Sequence, residues 1–273
     1  MSVKESIKDF YNAQAEKFSW TRKKQWPEFE YVVSELHWII KEKGKVKILE
    51  LWCGDWRLYR YLVSYFWEDK IEYTWVDISE WLIEIAKEKV MDNWSRDLTN
   101  KNELSENSLT NSQISSFVVS DMLSFLEKQE QESYDFVIAV ASFQHIPTSW
   151  ERLLILKNIY RILRYNWKVM MFNWSFSKWF FKKYWKWILK SFLIWILSLW
   201  TRPINDVYIP WKDKDKTYYR YYHIFFLFEI KKLFKQAGFV IKEACYINKR
   251  WEKSISYQDS RNSCLIWEKK VLN

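Results

Sequence analysis

The sequence predicts an α/β protein: a Rossmann-like, mostly parallel sheet with helices on both faces, interrupted late in the chain by an inserted helical and aromatic cap. Three observations carry this. Short apolar β runs alternate with helical stretches from residue 46 to residue 172, the order of a parallel sheet covered on both sides. The first strand runs straight into a turn and a helix, where such folds bind ligands. With 49% hydrophobic residues over 273 positions, the chain can bury a large core.

Residues 4–43 read as helices with a break near Ser19–Pro27. Val46–Leu51 is the first strand, and the residues after it turn into a helical pattern. Ile71–Asp77 is the second strand and Ser79–Val90 the helix that follows. Met91–Ser116 is polar, rich in Asn and Ser, and reads as a solvated insertion. Phe117–Val119 leads a third strand and Leu123–Gln129 its helix. Tyr134–Ala141 is a strongly apolar fourth strand, Trp150–Leu163 a helix, and Val169–Phe172 a fifth strand. From Ser175 to Tyr219 the alternation stops in an aromatic, Lys-rich stretch. It resumes with helix Phe226–Ala237, strand Val240–Tyr246 and a last strand near Asn262–Glu268, a pair suited to an antiparallel hairpin at one sheet edge. The chain thus divides into a helical covering segment (1–43), a ligand-binding core (44–174), an inserted cap (175–225) and a closing helix with two strands (226–273).

Composition is unbalanced at one pair of residues. At the usual ~7%, a chain of this length carries roughly 19 glycines. This one has 3, beside 20 tryptophans. Three cysteines, Cys53, Cys245 and Cys264, form neither a disulfide framework nor a zinc pattern, so no metal site is expected. No basic-then-apolar signal opens the sequence, which makes a reducing cytoplasm the expected compartment. The longest uncharged apolar run, Ser191–Trp200, falls far short of the ~20 residues of a membrane span. A net charge of +9 suits a polyanionic partner, either nucleic acid or an anionic membrane surface.

Right after the first strand stands Glu50-Leu51-Trp52-Cys53-Gly54-Asp55-Trp56. Such a turn needs glycines, which accept positive φ and let the backbone approach a ligand with no Cβ in the way. Two indoles there fill the pocket they should open. With glycine at 52 and 56, the loop closely resembles the glycine-rich motif of class I S-adenosylmethionine (SAM)-dependent methyltransferases, whose sheet has seven strands. The same exchange at Trp75 and Trp81 improves those sites, and at Trp167 it makes an Asn-Gly turn. We therefore expect the gene to use UGA for glycine. Trp52, Trp56, Trp75, Trp81 and Trp167 then stand for glycine, and Trp20, Trp150, Trp251 and Trp267 are assigned likewise. Trp26 and Trp211, each beside a proline, read as genuine, whereas Trp174, Trp179, Trp185, Trp187, Trp195 and Trp200 lie where no motif decides.

The resemblance implies SAM as cofactor and a set of residues around it. Glu50 would hold its methionine end. Trp52, Gly54 and Trp56 mark the loop beside its carboxylate and ribose. Asp77, about 20 residues on, would accept the ribose hydroxyls, with Ile78 next to it. Asp121 would meet the adenine amine, with Met122 beside it. For Asp121, a helix cap is the competing reading.

Three further stretches resemble eukaryotic-type tRNA wobble-uridine carboxymethyl methyltransferases. They are Tyr11–Glu30, Ser142–Leu163 with its His145-Ile146-Pro147-Thr148, and Tyr208–Lys212 together with Tyr218–Phe239. That family esterifies a carboxymethyl group on the tRNA, and its eukaryotic members work with a small zinc-binding activator protein. The resemblance implies Arg22, His145 and Arg152 as catalytic positioners and Lys24, Arg220 and His223 as substrate contacts. Basic, aromatic-rich segments around Arg22, Lys182–Lys190 and Lys212–Lys216 suit RNA, although a solvated lysine face reads the same way. Two other readings remain open: a methyltransferase of a small molecule or lipid, and a catalytically inactive RNA- or membrane-binding module. Phe180–Leu199 in particular reads equally as a cap helix or as a helix lying on a membrane interface.

Overall fold

Alternation within the first strand decides the architecture. In Val46–Leu51 (β1), Ile48 packs into one core cluster and Leu49 and Leu51 into another, and all are buried. Successive side chains point to opposite faces, so burial of both sets requires cover on both sides. The computed structural model describes residues 2–22, 25–100, 117–198, 203–214, 216–248, 250, 252–256 and 260–270.

Three helices open the chain: Val3–Ala13 (α1), Ala15–Thr21 (α2) and Phe29–Lys43 (α3). Ser2 and Glu5 form a capping box at the start of α1. The core then runs β1, Arg57–Leu62 (α4), Ile71–Asp77 (β2), Glu80–Asn100 (α5), Phe117–Val119 (β3) and Met122–Glu127 (α6). It continues through Tyr134–Val140 (β4), Ser149–Ile162 (α7) and Leu163–Trp174 (β5). The cap consists of Lys178–Leu197 (α8) and a hairpin of Asp206–Asp213 (β6) with Lys216–His223 (β7). Leu227–Gln236 (α9), Val240–Asn248 (β8), Lys253–Ser254 (β9) and Ser260–Glu268 (β10) close the fold.

The main sheet has the order β3-β2-β1-β4-β5-β10-β8-β9. Its first five strands pair in parallel, while β10 is antiparallel to both β5 and β8. The seven expected strands are present, and the short β9 adds an eighth at the edge. Strand order reverses between β1 and β4, which places the ligand crevice at the carboxyl ends of those strands. Helices α3, α4 and α5 cover one face, and α6, α7 and α9 the other.

Some expectations need correction. Helix α5 runs on to Asn100, so residues 91–100 are not an insertion loop, and 101–116 lie outside the described residues. Strand β5 starts at Leu163, where Tyr134 of β4 pairs with it. The turn-like conformation near 167 belongs to Asn166 (φ 64°), so the backbone makes no demand for glycine at Trp167. Trp81 and Trp150 sit exposed in the first turns of helices, which makes no such demand either.

Candidate active site

At the switch point, β1 hands over to a loop whose backbone does what a glycine-rich loop does. Trp52 has φ 58°, Gly54 φ 63° and Trp56 φ 74°. An L residue in this left-handed region costs roughly 1–2 kcal/mol, and glycine costs nothing comparable. Trp56 is also the N-cap of α4 in that conformation. The loop is tied down by Asp77 at the end of β2. Its Oδ2 accepts from the Gly54 N–H (2.9 Å) and its Oδ1 from the Ser79 N–H (2.9 Å).

The crevice is roofed by the N-terminal helices. Ser19 of α2 donates to Asp55 Oδ2 (2.8 Å), which Lys89 also reaches (2.9 Å). Arg57 Nε contacts the other oxygen of Asp55 (3.0 Å). Ser79 donates to Asn12 of α1 (2.7 Å), and Gln14 donates to Asp213 of the hairpin (2.7 Å). Covering segment, loop and cap are thereby clamped around one cavity.

Of the residues expected here, Arg22, Glu50, Trp52, Gly54, Asp77, His145 and Arg220 line that cavity. Tyr11, Arg57, Gln144, Trp174 and Tyr222 line it too; none was named as a site residue from sequence, although Gln144 stands beside His145 and Tyr222 beside His223 in the stretches that carry the resemblance. The Tyr11–Glu30 resemblance opens on Tyr11 and was the one signal available for it. His145 bridges the two halves of the wall. Its Nδ1 donates to the Tyr221 carbonyl (2.8 Å), leaving Nε2 to accept from the Tyr11 hydroxyl (3.3 Å). Burial pushes the His145 pKa down to about 3, so the ring is neutral at physiological pH.

Other expected residues lie elsewhere. Arg152 is 1% exposed and does not touch the cavity. Its guanidinium bonds the Ile146 and Pro147 carbonyls (2.9 and 3.1 Å) and the Tyr221 hydroxyl (3.2 Å). His223 lies behind the wall, between Asp206 and Glu229 at 2.6 Å each. Both residues brace the hairpin against α7 and α9 and do not line the cavity. Asp121 caps α6 through the Ser124 N–H (3.2 Å) and pairs with Lys4 (2.8 Å), so its carboxylate is already engaged. Trp56, Ile78 and Met122 are buried in the surrounding packing and do not line the cavity. Lys24 lies outside the described residues.

Burial also raises two carboxyls. Glu50 is pushed up to about 8 despite accepting from the Tyr73 hydroxyl (2.7 Å), and Asp77 to about 6. Between pH 5 and 8 the folded chain keeps a proton on Glu50 that the unfolded chain has released. Stability contributed by this group therefore falls as pH rises from about 4.5 to about 8. Glu50→Gln keeps an oxygen for Tyr73 and is expected to flatten that decline, raising Tm at pH 8 by several degrees while leaving pH 5 nearly unchanged. Parallel Tm-versus-pH curves for the two proteins would remove this assignment.

The polar groups suit an adenosyl cofactor with an amino acid end: a buried acid at Glu50, an acid at the end of β2 and a backbone loop held open. The Trp52 side chain does not suit it. Its indole stacks on His145 with centroids 5.6 Å apart, and the cavity left is about 80 Å³. Ligand pockets of this class measure roughly 300 Å³ or more. The buried indole N–H groups of Trp52, Trp75 and Trp267 find no acceptor among the described residues, and all three positions read as glycine in the sequence. Trp211, which reads as genuine, donates to Gln14 Oε1 (3.2 Å).

A mostly parallel sheet with this strand order, carrying its site at the β1–β4 switch point beneath a glycine-type loop, defines the methyltransferase class of α/β folds. The chain belongs to the methyltransferase domain family, whose model matches residues 29–244. By that membership it is a methyltransferase. No curated protein sequence matches it. Among solved structures, it resembles a complex between the Haloferax volcanii Trm112 methyltransferase activator and the putative methyltransferase (TM-score 0.61, 12% identity, 98% of this chain and 99% of that one). It also resembles a SAM-dependent methyltransferase from Clostridium acetobutylicum (0.59, 10%, 99% and 100%) and another from Methanosarcina mazei (0.57, 19%, 86% and 98%). At these identities the likeness is one of fold.

Proposed function

We propose that the chain methylates the carboxymethyl group of a wobble uridine in tRNA to its methyl ester. The observation that carries this reading is a pair of guanidiniums that meet no carboxylate among the described residues. Arg22 and Arg220 both line the cavity, and both lie over the Trp211 ring, at 5.8 and 4.9 Å. Arg220 is buried, and its Nε finds no acceptor among the described residues. Burial, with Arg57 and Arg220 adding to it, pushes Arg22 down to about 10. Such a site favours an anionic guest, since a guanidinium holds a carboxylate in fork geometry.

The cofactor supplies an electrophilic methyl group. A carboxylate is already ionised at neutral pH, so no strong base is needed to make it attack. That agrees with a His145 too weakly basic to take a proton. What the chain contributes is placement: Arg22 and Arg220 hold the acid, and Tyr11, oriented by His145, limits its approach. Helices α1 and α2 and the β6–β7 hairpin keep water out. The hairpin residues Lys212 and Lys216 suit phosphates of a bound RNA. A small zinc-binding activator is the further partner we propose, at the β3 end of the sheet, where Val119 is exposed.

Nucleoside mass spectrometry tests this after incubating undermodified tRNA with SAM and the chain carrying glycine at positions 52, 56 and 75. A new methyl ester at the wobble uridine is expected. Methyl transfer only to a lipid or small-molecule fraction would replace the reading.

A further inference from the structure

Helix α8 is packed on one side only. Phe180, Tyr184, Trp187 and Ile188 lie against the hairpin, and Phe180 alone is buried within the helix. On the outer side, Phe181, Leu189, Phe192 and Ile196 are 39–50% exposed and fall on one stripe at helical spacing. The stripe stands without Trp185, which lies on it. It borders an apolar groove of about 590 Å³ shared with Phe176, Ile204 and Phe226. Alongside run Lys182, Lys186 and Lys190, one turn apart. With Lys178 and Lys183 they make five lysines and no acid in the helix. None of the five forms an ion pair among the described residues.

We propose that this face of α8 docks in the plane of an anionic lipid bilayer, with the stripe at the acyl boundary and the lysines on the headgroups. Charge complementarity selects this occupant. A second copy would set lysines against lysines. An RNA would neutralise them but would leave Leu189, Phe192, Leu193 and Ile196 without an apolar medium. A bilayer satisfies both halves of the face. No described helix is long and apolar enough to cross a membrane, so the helix lies on the surface and does not span. This goes beyond methyl transfer: the groove and the cofactor cavity share no lining residue.

Co-sedimentation of the full chain with vesicles tests it, comparing equal-part phosphatidylglycerol/phosphatidylcholine with phosphatidylcholine alone. Binding at least ~10-fold stronger to the anionic vesicles, and weakened by salt, is expected. Leu189→Asp/Phe192→Asp should abolish it. Lys182→Glu/Lys186→Glu/Lys190→Glu, which alters only exposed residues and so tests the surface without disturbing the core, should weaken it on the order of 100-fold. Three results overturn the proposal. These are equal binding to both vesicle types, a dimer in light scattering that Leu189→Asp/Phe192→Asp dissolves, and loss of tRNA binding in the lysine variant with no vesicle binding by the parent.

Discussion

Exchanging Trp52 and Trp56 for glycine is expected to turn a chain that does not measurably hold SAM into one that binds it at micromolar concentration. The two changes act differently. Trp52→Gly empties the crevice, because its indole is the ring stacked on His145 in a cavity of about 80 Å³. It also removes a buried N–H with no acceptor among the described residues, worth roughly 1–3 kcal/mol. Trp56→Gly relieves a left-handed residue at φ 74° on the N-cap of α4. Moving Kd from ~1 mM or weaker to ~1 µM corresponds to about 4 kcal/mol, and calorimetry on parent, single and double variants reads it directly. Most of the gain belongs to Trp52→Gly. If the double variant binds no better than the parent, the cofactor does not occupy this crevice. The same argument reaches the gene. UGA at codons 52 and 56, and glycine in the corresponding peptide from the native host, are the expected findings, whereas UGG there would sink the recoding.

Much of the fold was legible because it is written in local alternation. Val46–Leu51 and Ile71–Asp77 have the limits their apolar runs suggest: β1 is buried on both faces, β2 on one face and at its carboxyl end, and each gives way to a loop at the crevice. The cap was not legible. Lys216–His223 is aromatic on both faces, so period-two patterning is absent even though it pairs along its whole length with β6. The site divides in the same way. Glu50 and Asp77 were legible as cavity-lining positions because strand ends fix their place. That Arg152 and His223 lie off the cavity was not legible, because nothing local says which side of Tyr221 a side chain occupies. Both lie behind it, held by Asp206, Glu229 and backbone carbonyls that only the tertiary fold brings near. Glycine assignments follow suit: backbone conformation supports positions 52 and 56, an orphaned N–H supports 75 and 267, and neither bears on 81, 150 or 167.

In the glycine-restored enzyme, Arg22→Gln and Arg220→Lys should each lower kcat/KM for tRNA by on the order of 100-fold or more while SAM affinity changes little. In the proposed complex the arginines meet the acceptor and not the cofactor loop, which hangs on Asp77 and Asp55. Arg22 is half-buried, stacks on Phe18 at 3.6 Å and, among the described residues, makes only long hydrogen bonds to the Phe18 carbonyl and Thr21, so its loss removes charge without opening the core. Arg220 is buried, with rings of Phe10, Trp211 and Tyr222 at 4.9, 4.9 and 5.3 Å. Lysine there keeps the charge but not the planar fork or the stacking, so a loss with Arg220→Lys separates geometry from net charge. Truncating one partner of a desolvated charge pair costs about 2–5 kcal/mol, which sets the size of the effect. Because the acceptor must be ionised to attack and to be held, the loss in Arg22→Gln should shrink toward pH 4, where a carboxyl begins to take up its proton. A pair of variants that transfers methyl groups to tRNA at parental rates would mean that the acceptor is not an anion held by these two side chains.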